Sequence, residues 1–294
     1  MEAMLKVEQL SKKYPKNPVY SLEKVDFQIN QGEIVGLIGK NGAGKTTLMK
    51  MIAKSLQPTE GTILLDGKNI LHQDDQLKEV GILIEPAYYK QLTVLENLHF
   101  YLAVNQQTQY KKNIRPVLEL VDLWHRRKDK PGSFSFGMKQ RLSLAMCLLT
   151  EPKFAIMDEP FVGLDPIGVA DLIRTLKTWA QEKNMTILIS SHQLAELEEL
   201  CERFLFIEQG RLTQQFDKTE HVATLQIQLQ QPLDQATFKK SFPKVTATET
   251  SVTLPTDSLE LNSVLHYLTT HEKISRIEMQ RQEELKNYFK GELS

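Results

Sequence analysis

The chain is expected to fold as an α/β protein with a mainly parallel sheet core, followed by a small α+β unit. Three observations lead there. From Met4 to about Lys218, short apolar runs alternate with longer stretches of helical period. Each of these runs stops at residues able to do chemistry. After Lys218 the texture changes, beginning with Thr224–Gln230, which alternates like a strand. Two domains are therefore expected, residues 1–218 and 219–294.

The apolar runs are Glu33–Ile38, Val80–Ile84, Phe154–Met157 and Thr186–Ile189. Their unbroken apolar character suits strands buried on both faces. The first runs into a glycine-rich loop and the second ends at Glu85. The third ends at Asp158 and Glu159, and the fourth runs through Ser190 and Ser191 to His192. In open α/β sheets ligands sit beyond the carboxyl ends of the strands. Four such ends carrying polar groups point to one site.

Beyond Lys218, Thr224–Gln230 alternates as a strand and Asp234–Phe242 has helical spacing. Val245–Glu249 with Ser251–Leu254 reads as a hairpin, Ser258–Thr270 as a helix, Ile274–Met279 as a strand and Glu283–Leu293 as a terminal helix. The order β-α-β-β-α-β is that of a ferredoxin-like unit. No catalytic constellation falls there, which leaves ligand sensing, dimer stabilisation or simple packing as its roles.

Composition narrows the function classes. The formal charge is −1, from 36 basic and 37 acidic residues, so there is no general basic field for nucleic acid. Cys147 and Cys201 are the two cysteines, each in an apolar stretch without a CxxC or Cys/His cluster, which supports neither a disulfide framework nor a zinc site. No apolar run reaches about 18 residues, the length that would span a membrane. The opening MEAMLKVEQL lacks the pattern of a secretory signal. A cytoplasmic protein without direct membrane insertion is expected.

Residues 39–46 read GKNGAGKT, a full match to G-x-x-x-x-G-K-[ST] between an apolar strand and a helix with apolar Leu48, Met49, Ile52 and Leu56. Gly39, Gly42 and Gly44 allow a tight backbone turn, in which the N–H groups of Lys40, Asn41, Ala43 and their neighbours can face phosphate oxygens. The helix N-terminus adds partial positive charge. Lys45 is expected to bridge the outer phosphates of ATP, Thr46 to ligate Mg²⁺ and Thr47 to reach the α-phosphate. Phe154–Asp158 supplies an apolar strand ending in a carboxylate, with Asp158 expected at the magnesium ion. Glu159 follows at once, placed to act as general base.

Taken together, these elements resemble an ABC-type ATP-binding protein over roughly residues 4–215. Residues 135–141, SFGMKQR, are similar to that family's signature. The resemblance implies a P-loop NTPase fold whose parallel core carries an antiparallel β subdomain and a helical subdomain. It further implies that Tyr14 stacks on adenine, that Asp165 lies in the loop facing a second subunit, and that His192 senses the γ-phosphate. Ser135 and Gly137 begin a helix, and in the family that helix end grips ATP held by the opposite subunit. Two ATP-binding subunits, expected as a homodimer, would then enclose two ATP molecules.

Two departures narrow the resemblance. Phe136 and Met138 enlarge the signature, and Glu85 stands where most of the family has glutamine. The run Leu83–Pro86 with Leu92–Leu98 is similar to exporters of the bacitracin-resistance and lantibiotic-immunity type. The expected function is therefore an ATPase that drives export of a peptide antibiotic, drug or other amphipathic compound through a separate permease. Glu85 is expected to remain a magnesium and coupling residue, and Glu85–Leu98 to form part of the groove for a permease helix. The alternative is a non-transport ABC ATPase acting on ribosomes or nucleic acid. One P-loop, one signature and balanced charge weigh against it.

Overall fold

In a computed structural model the described residues are 2–15, 18–72, 77–217, 224–243, 245–255, 258–271 and 274–280. They fall into two compact units, Met1–Phe216 and Asp217–Ser294. The expected helix Glu283–Leu293 lies outside the described residues.

The first unit runs β1 (Ala3–Lys12), β2 (Leu22–Asn30), β3 (Ile34–Ile38), α1 (Lys45–Ile52), β4 (Glu60–Leu65), β5 (Lys68–Asn69) and β6 (Val80–Leu83). It continues with α2 (Val94–Val104), α3 (Ile114–Leu120), α4 (Phe136–Leu148), β7 (Phe154–Asp158), α5 (Pro166–Lys183), β8 (Thr186–Ser190), α6 (Leu194–Leu200), β9 (Arg203–Glu208) and β10 (Arg211–Asp217). One sheet has the order β10-β9-β3-β8-β7-β6, and β9, β3, β8, β7 and β6 pair in parallel. Every residue of β3 and β8 is buried, as a strand covered on both faces requires. In β6, at the sheet edge, Ile82 is exposed. The parallel register aligns Leu83 with Met157 and Asp158 with Ser190, so the chemistry-bearing ends share one rim.

A second sheet has the order β2-β1-β4-β5 and is antiparallel. Its inward residues Leu5, Val7, Val25, Phe27 and Ile63 share one core with Leu37, Ile156 and Leu188 of the parallel sheet. Helix α1 belongs to that core through Leu48, Met49, Met51 and Ile52, all within 1% of full burial. An apolar helix lodged between two sheets holds the phosphate loop rigidly, because its axis cannot tilt without opening both contacts. Helices α2 and α3 pack against α4, which in turn packs against β6.

Strand boundaries moved by a residue or two. Glu33 precedes β3 instead of opening it. Its carboxylate binds the Arg203 guanidinium at 2.5 Å and accepts from the Asn30 N–H at 2.8 Å. Cys147 lies in α4, where burial pushes its thiol up to about 12; Cys201 caps α6 on extended backbone.

The second unit consists of β11 (Thr224–Leu229), α7 (Gln235–Ser241), β12 (Thr246–Ala247), β13 (Ser251–Pro255), α8 (Leu261–His271) and β14 (Ile274–Gln280). The sheet order β12-β13-β11-β14, antiparallel throughout, is the ferredoxin-like arrangement. Phe238, Phe242 and Tyr267 form an aromatic cluster with ring centroids 5.0–5.6 Å apart, packed on Ile227, Val252 and Leu254. Helix α8 starts at Leu261, three residues later than the spacing indicated, because Ser258 is taken up in a turn with Pro255.

Candidate functional site

The phosphate loop leaves β3 at Gly39 and enters α1 at Lys45. A Cβ at Gly39 would lie 2.3 Å from the Ile207 carbonyl oxygen, so no other residue fits this close approach. Gly42 and Gly44 have φ of 82° and 114°, which side chains resist. Helix α1 begins without a side-chain cap and without an acid in its first turn. Its first N–H groups therefore converge on the loop as a receptor for an anion. Lys40 and Asn41 are exposed at the loop tip, while Ala43 and Lys45 are buried. The Lys45 ammonium donates to the Gly39 carbonyl at 2.5 Å and to that of Lys40 at 3.2 Å, folded against the loop it serves.

Thr46 is the first α1 residue to reach the next strand end. Its hydroxyl donates to Asp158 Oδ2 at 2.7 Å, and the Ser190 hydroxyl donates to Asp158 Oδ1. Asp158 is thus held from both sides by hydroxyls, with one proton donor on each oxygen. Thr47 is partly buried beside them on α1.

Glu159 has φ 54°, the left-handed region, where a residue with a side chain is strained. Its N–H donates to the Ser190 carbonyl at 3.0 Å, and its Oε2 accepts from the His192 N–H at 3.2 Å. The His192 Nε2 lies 3.3 Å from Oε1. That distance suits attraction between charges, but the alignment is not that of a hydrogen bond, and Oε1 is buried without a hydrogen-bond partner. Burial raises the Glu159 carboxyl above its ordinary value. His192 and Lys45 oppose that rise and Asp158 adds to it. A strained backbone holding a half-satisfied carboxylate is a common feature of reaction centres.

Sequence reasoning missed several supports of this strand end. Gln140, buried in α4, donates from Nε2 to the carbonyls of Asp158 and Glu159 at 3.4 and 3.3 Å. Arg141 donates to the Gly163 carbonyl at 2.7 Å. Gly137 and Gly163 touch so closely that a Cβ on Gly163 would lie 2.3 Å from the Gly137 Cα. The signature glycine is thus required inside its own chain, by backbone contact with the loop after Glu159. Only the SFGMKQR pattern hinted at Gln140 and Arg141; no signal linked Gly137 to Gly163.

Two predicted residues cap helices. Ser135 caps α4 by accepting from the Met138 N–H at 3.3 Å, and Asp165 caps α5 by accepting from the Gly168 N–H at 3.0 Å. Phe136 projects from the start of α4, 66% exposed. Tyr14 presents a partly open ring with the Lys12 ammonium 5.4 Å from its centroid.

Glu85 is 71% exposed and ion-paired at 2.5 Å with Lys50 of α1. An exposed pair of this kind contributes about 0–1 kcal/mol to stability. The following loop is anchored by Asn97, which is 1% exposed. Its amide donates to the carbonyls of Tyr89, Leu92 and Thr93, and its Oδ1 accepts from the Tyr89 N–H at 2.7 Å. Thr93 and Glu96 form a capping box at the start of α2. The backbone and hydroxyl of Thr93 hold the Glu96 carboxyl below its usual range. Tyr89 and Phe100 stack edge to face at 4.7 Å on the surface beside them.

Among the described residues no cluster of three or more His, Cys, Asp or Glu could cage a metal, and no helix is long and apolar enough to cross a membrane.

A family model described as ABC transporter matches residues 22–162. The chain is 40% identical over 220 residues to the bacitracin transport ATP-binding protein of Bacillus licheniformis, covering 73% of this chain and 70% of that one. It is 38% identical over 228 residues to a lantibiotic transport ATP-binding protein of Streptococcus pyogenes, covering 76% and 95%. Among solved structures, an ATP-binding subunit of an ABC transporter superposes with a TM-score of 0.67 at 28% identity, over 90% of this chain and 99% of that one. A dimeric ATP-binding cassette bound to ADP and Pi gives 0.66 at 24% identity, a likeness of fold, over 73% of this chain and 99% of that one.

Proposed function

This chain belongs to the ABC transporter family as an ATP-binding, ATP-hydrolysing subunit, and from that premise we propose how its residues work and what it drives. The observation that carries the catalytic reading is Glu159 Oε1, buried and unpartnered one residue beyond the doubly held Asp158. A carboxylate oxygen in that state is ready to take a hydrogen bond from an attacking water and then its proton. The phosphate loop binds the triphosphate through the N-terminus of α1, and Lys45 swings from its carbonyls to the outer phosphates. His192, beside Glu159, contributes positive charge or a donor toward the transferring phosphoryl group. Tyr14 covers the adenine.

Thr46 and Asp158 fit magnesium. A hydroxyl and one carboxylate joined at 2.7 Å are too few ligands for an all-protein cage, but they suit an ion completed by phosphates and water. When bound, the ion would supply positive charge to the phosphate oxygens. The extra acid Glu85 is proposed as a coupling residue on the same rim.

Ser135, Gly137 and Asp165 are proposed to face ATP held by a second copy of this chain. The working unit is then a homodimer around two nucleotides. The exposed Tyr89–Phe100 stack, on a loop fixed by Asn97, supports a docking groove for a cytoplasmic helix of a separate permease. We place the subunit at the cytoplasmic face of the membrane through that partner. The names of the relatives support transport of a peptide antibiotic or similar amphipathic compound, and we read its direction as export.

Phosphate release from MgATP by the purified chain, and its co-purification with a multi-span membrane protein, test the two halves of this reading. Absence of ATP-dependent phosphate release would remove the assigned catalytic roles. Purification free of any such membrane protein would remove the transport assignment.

A further inference from the structure

Lys50 lies four residues after Thr46 on α1, one turn along the same face of the helix. Its ammonium meets Glu85 at 2.5 Å, joining the phosphate-loop helix to the end of β6 across 35 residues of sequence. Glu85, through its hydrogen bond, chiefly raises the Lys50 pKa above its ordinary value. Desolvation works against that rise, and the charges of Glu85 and Asp158 add to it.

We propose that Lys50 is a positioning residue for nucleotide binding, which holds the Glu85 carboxylate and balances its charge so that the end of β6 presents a net-neutral pair to the triphosphate. This rests on the reading of residues 39–46 as the ATP site. The physical need is plain. An unpaired carboxylate on the rim that carries Asp158 adds negative charge where a polyanion must settle, and like charges oppose binding. A neutral side chain at position 85 would need no partner; a carboxylate does. Glu85 is largely open to solvent and Lys50 partly so, so the pair does little for folding. Its effect should instead appear in nucleotide affinity.

The test is a four-variant comparison in the full chain: K50M, E85Q, K50M/E85Q and K50R. Affinity for a fluorescent ATP analogue is measured with Mg²⁺ and in EDTA, alongside thermal unfolding. K50M should weaken binding by about fivefold to tenfold, the larger effect appearing in EDTA, where no cation masks the carboxylate. E85Q, which frees the ammonium, should tighten it by about twofold to fivefold. The double variant and K50R should each return to within about twofold of the starting protein. Thermal midpoints should stay within about 2 °C of it, because the pair is exposed. A double variant as weak as K50M would overturn the inference, since the lysine would then act on nucleotide without Glu85. So would a K50M affinity within twofold of the starting protein. Failure of the unsubstituted chain to bind the analogue would instead overturn the ATP-site reading beneath it.

Discussion

Glu85 and Glu159 stand beyond the ends of neighbouring parallel strands, β6 and β7, and their surroundings treat the same functional group in opposite ways. Glu85 is exposed, relaxed and neutralised by Lys50. Glu159 sits on left-handed backbone with one oxygen buried and unpartnered, and burial raises its pKa. Position in the sheet accounts for much of this. Strand β6 is the edge strand, so its end opens to solvent, whereas β7 lies between β6 and β8 and is covered by Gln140 of α4. A carboxylate at an edge can find a mobile partner. One in the middle must take its place from the backbone that delivers it.

The largest expected effect tests this contrast directly. Glu159→Gln should lower phosphate release by about 10²–10⁴-fold, the usual contribution of a general base, while nucleotide still binds. Glu85→Gln should lower it by less than about tenfold, because a paired, exposed acid is one contact among several. Equal losses in the two variants would erase the distinction. Stopped-flow phosphate release with parallel nucleotide-binding measurements gives both quantities.

The loops that follow the two acids differ in how they are held, and two substitutions probe them. Gly163→Ala would place a methyl group 2.3 Å from the Gly137 Cα at φ 84°, so the loop after Glu159 must move. A loss of about 2–4 kcal/mol is expected, measured by denaturant unfolding. Asn97→Ala removes a buried amide serving four backbone groups around Glu85's loop. Its cost should be about 2–3 kcal/mol, somewhat smaller because some of those groups can turn to water. Hydrogen exchange should then rise over residues 87–93 and leave residues 159–165 protected. Spread of the exchange to both loops would show that they are one mechanical unit.

How far the sequence disclosed this site depends on the range of the interactions. Gly42 and Gly44 were legible because a tight turn before a helix demands positive φ, a local requirement with a local signature. The apolar strands were legible for a similar reason: burial on both faces leaves no polar positions. Their ends were less so, since hydrogen bonding decides whether Glu33 joins β3 or turns to Arg203. Pairings between distant segments had no signature at all. Lys50 with Glu85, Ser190 with Asp158, and Gly137 against Gly163 emerge only when the parallel register brings their elements together. In the second unit β12 shrank to Thr246–Ala247, because an edge strand is held on one side only.

The smallest effect is a matter of protons. Burial makes the folded chain hold the Glu159 proton more tightly than the solvated, unfolded chain does. Between the unfolded and folded pKa values the native state therefore binds more protons, and stability falls as pH rises through that window. Above the raised folded value the full cost of the buried charge is present; below the ordinary glutamate range it is gone. Glu159→Gln removes that charge, so without nucleotide the variant should melt about 1–3 °C above the starting protein at neutral pH. The gap should close toward zero as pH falls to about 4. His192, chiefly through its backbone N–H, and Lys45 pull against this shift, and Asp158 reinforces it. Glu85→Gln, which exchanges an exposed and paired carboxylate, should produce no such pH-dependent gain. A constant offset for Glu159→Gln across the whole range would mean that its oxygen is solvated, and the difference between the two strand ends would then reduce to backbone strain alone.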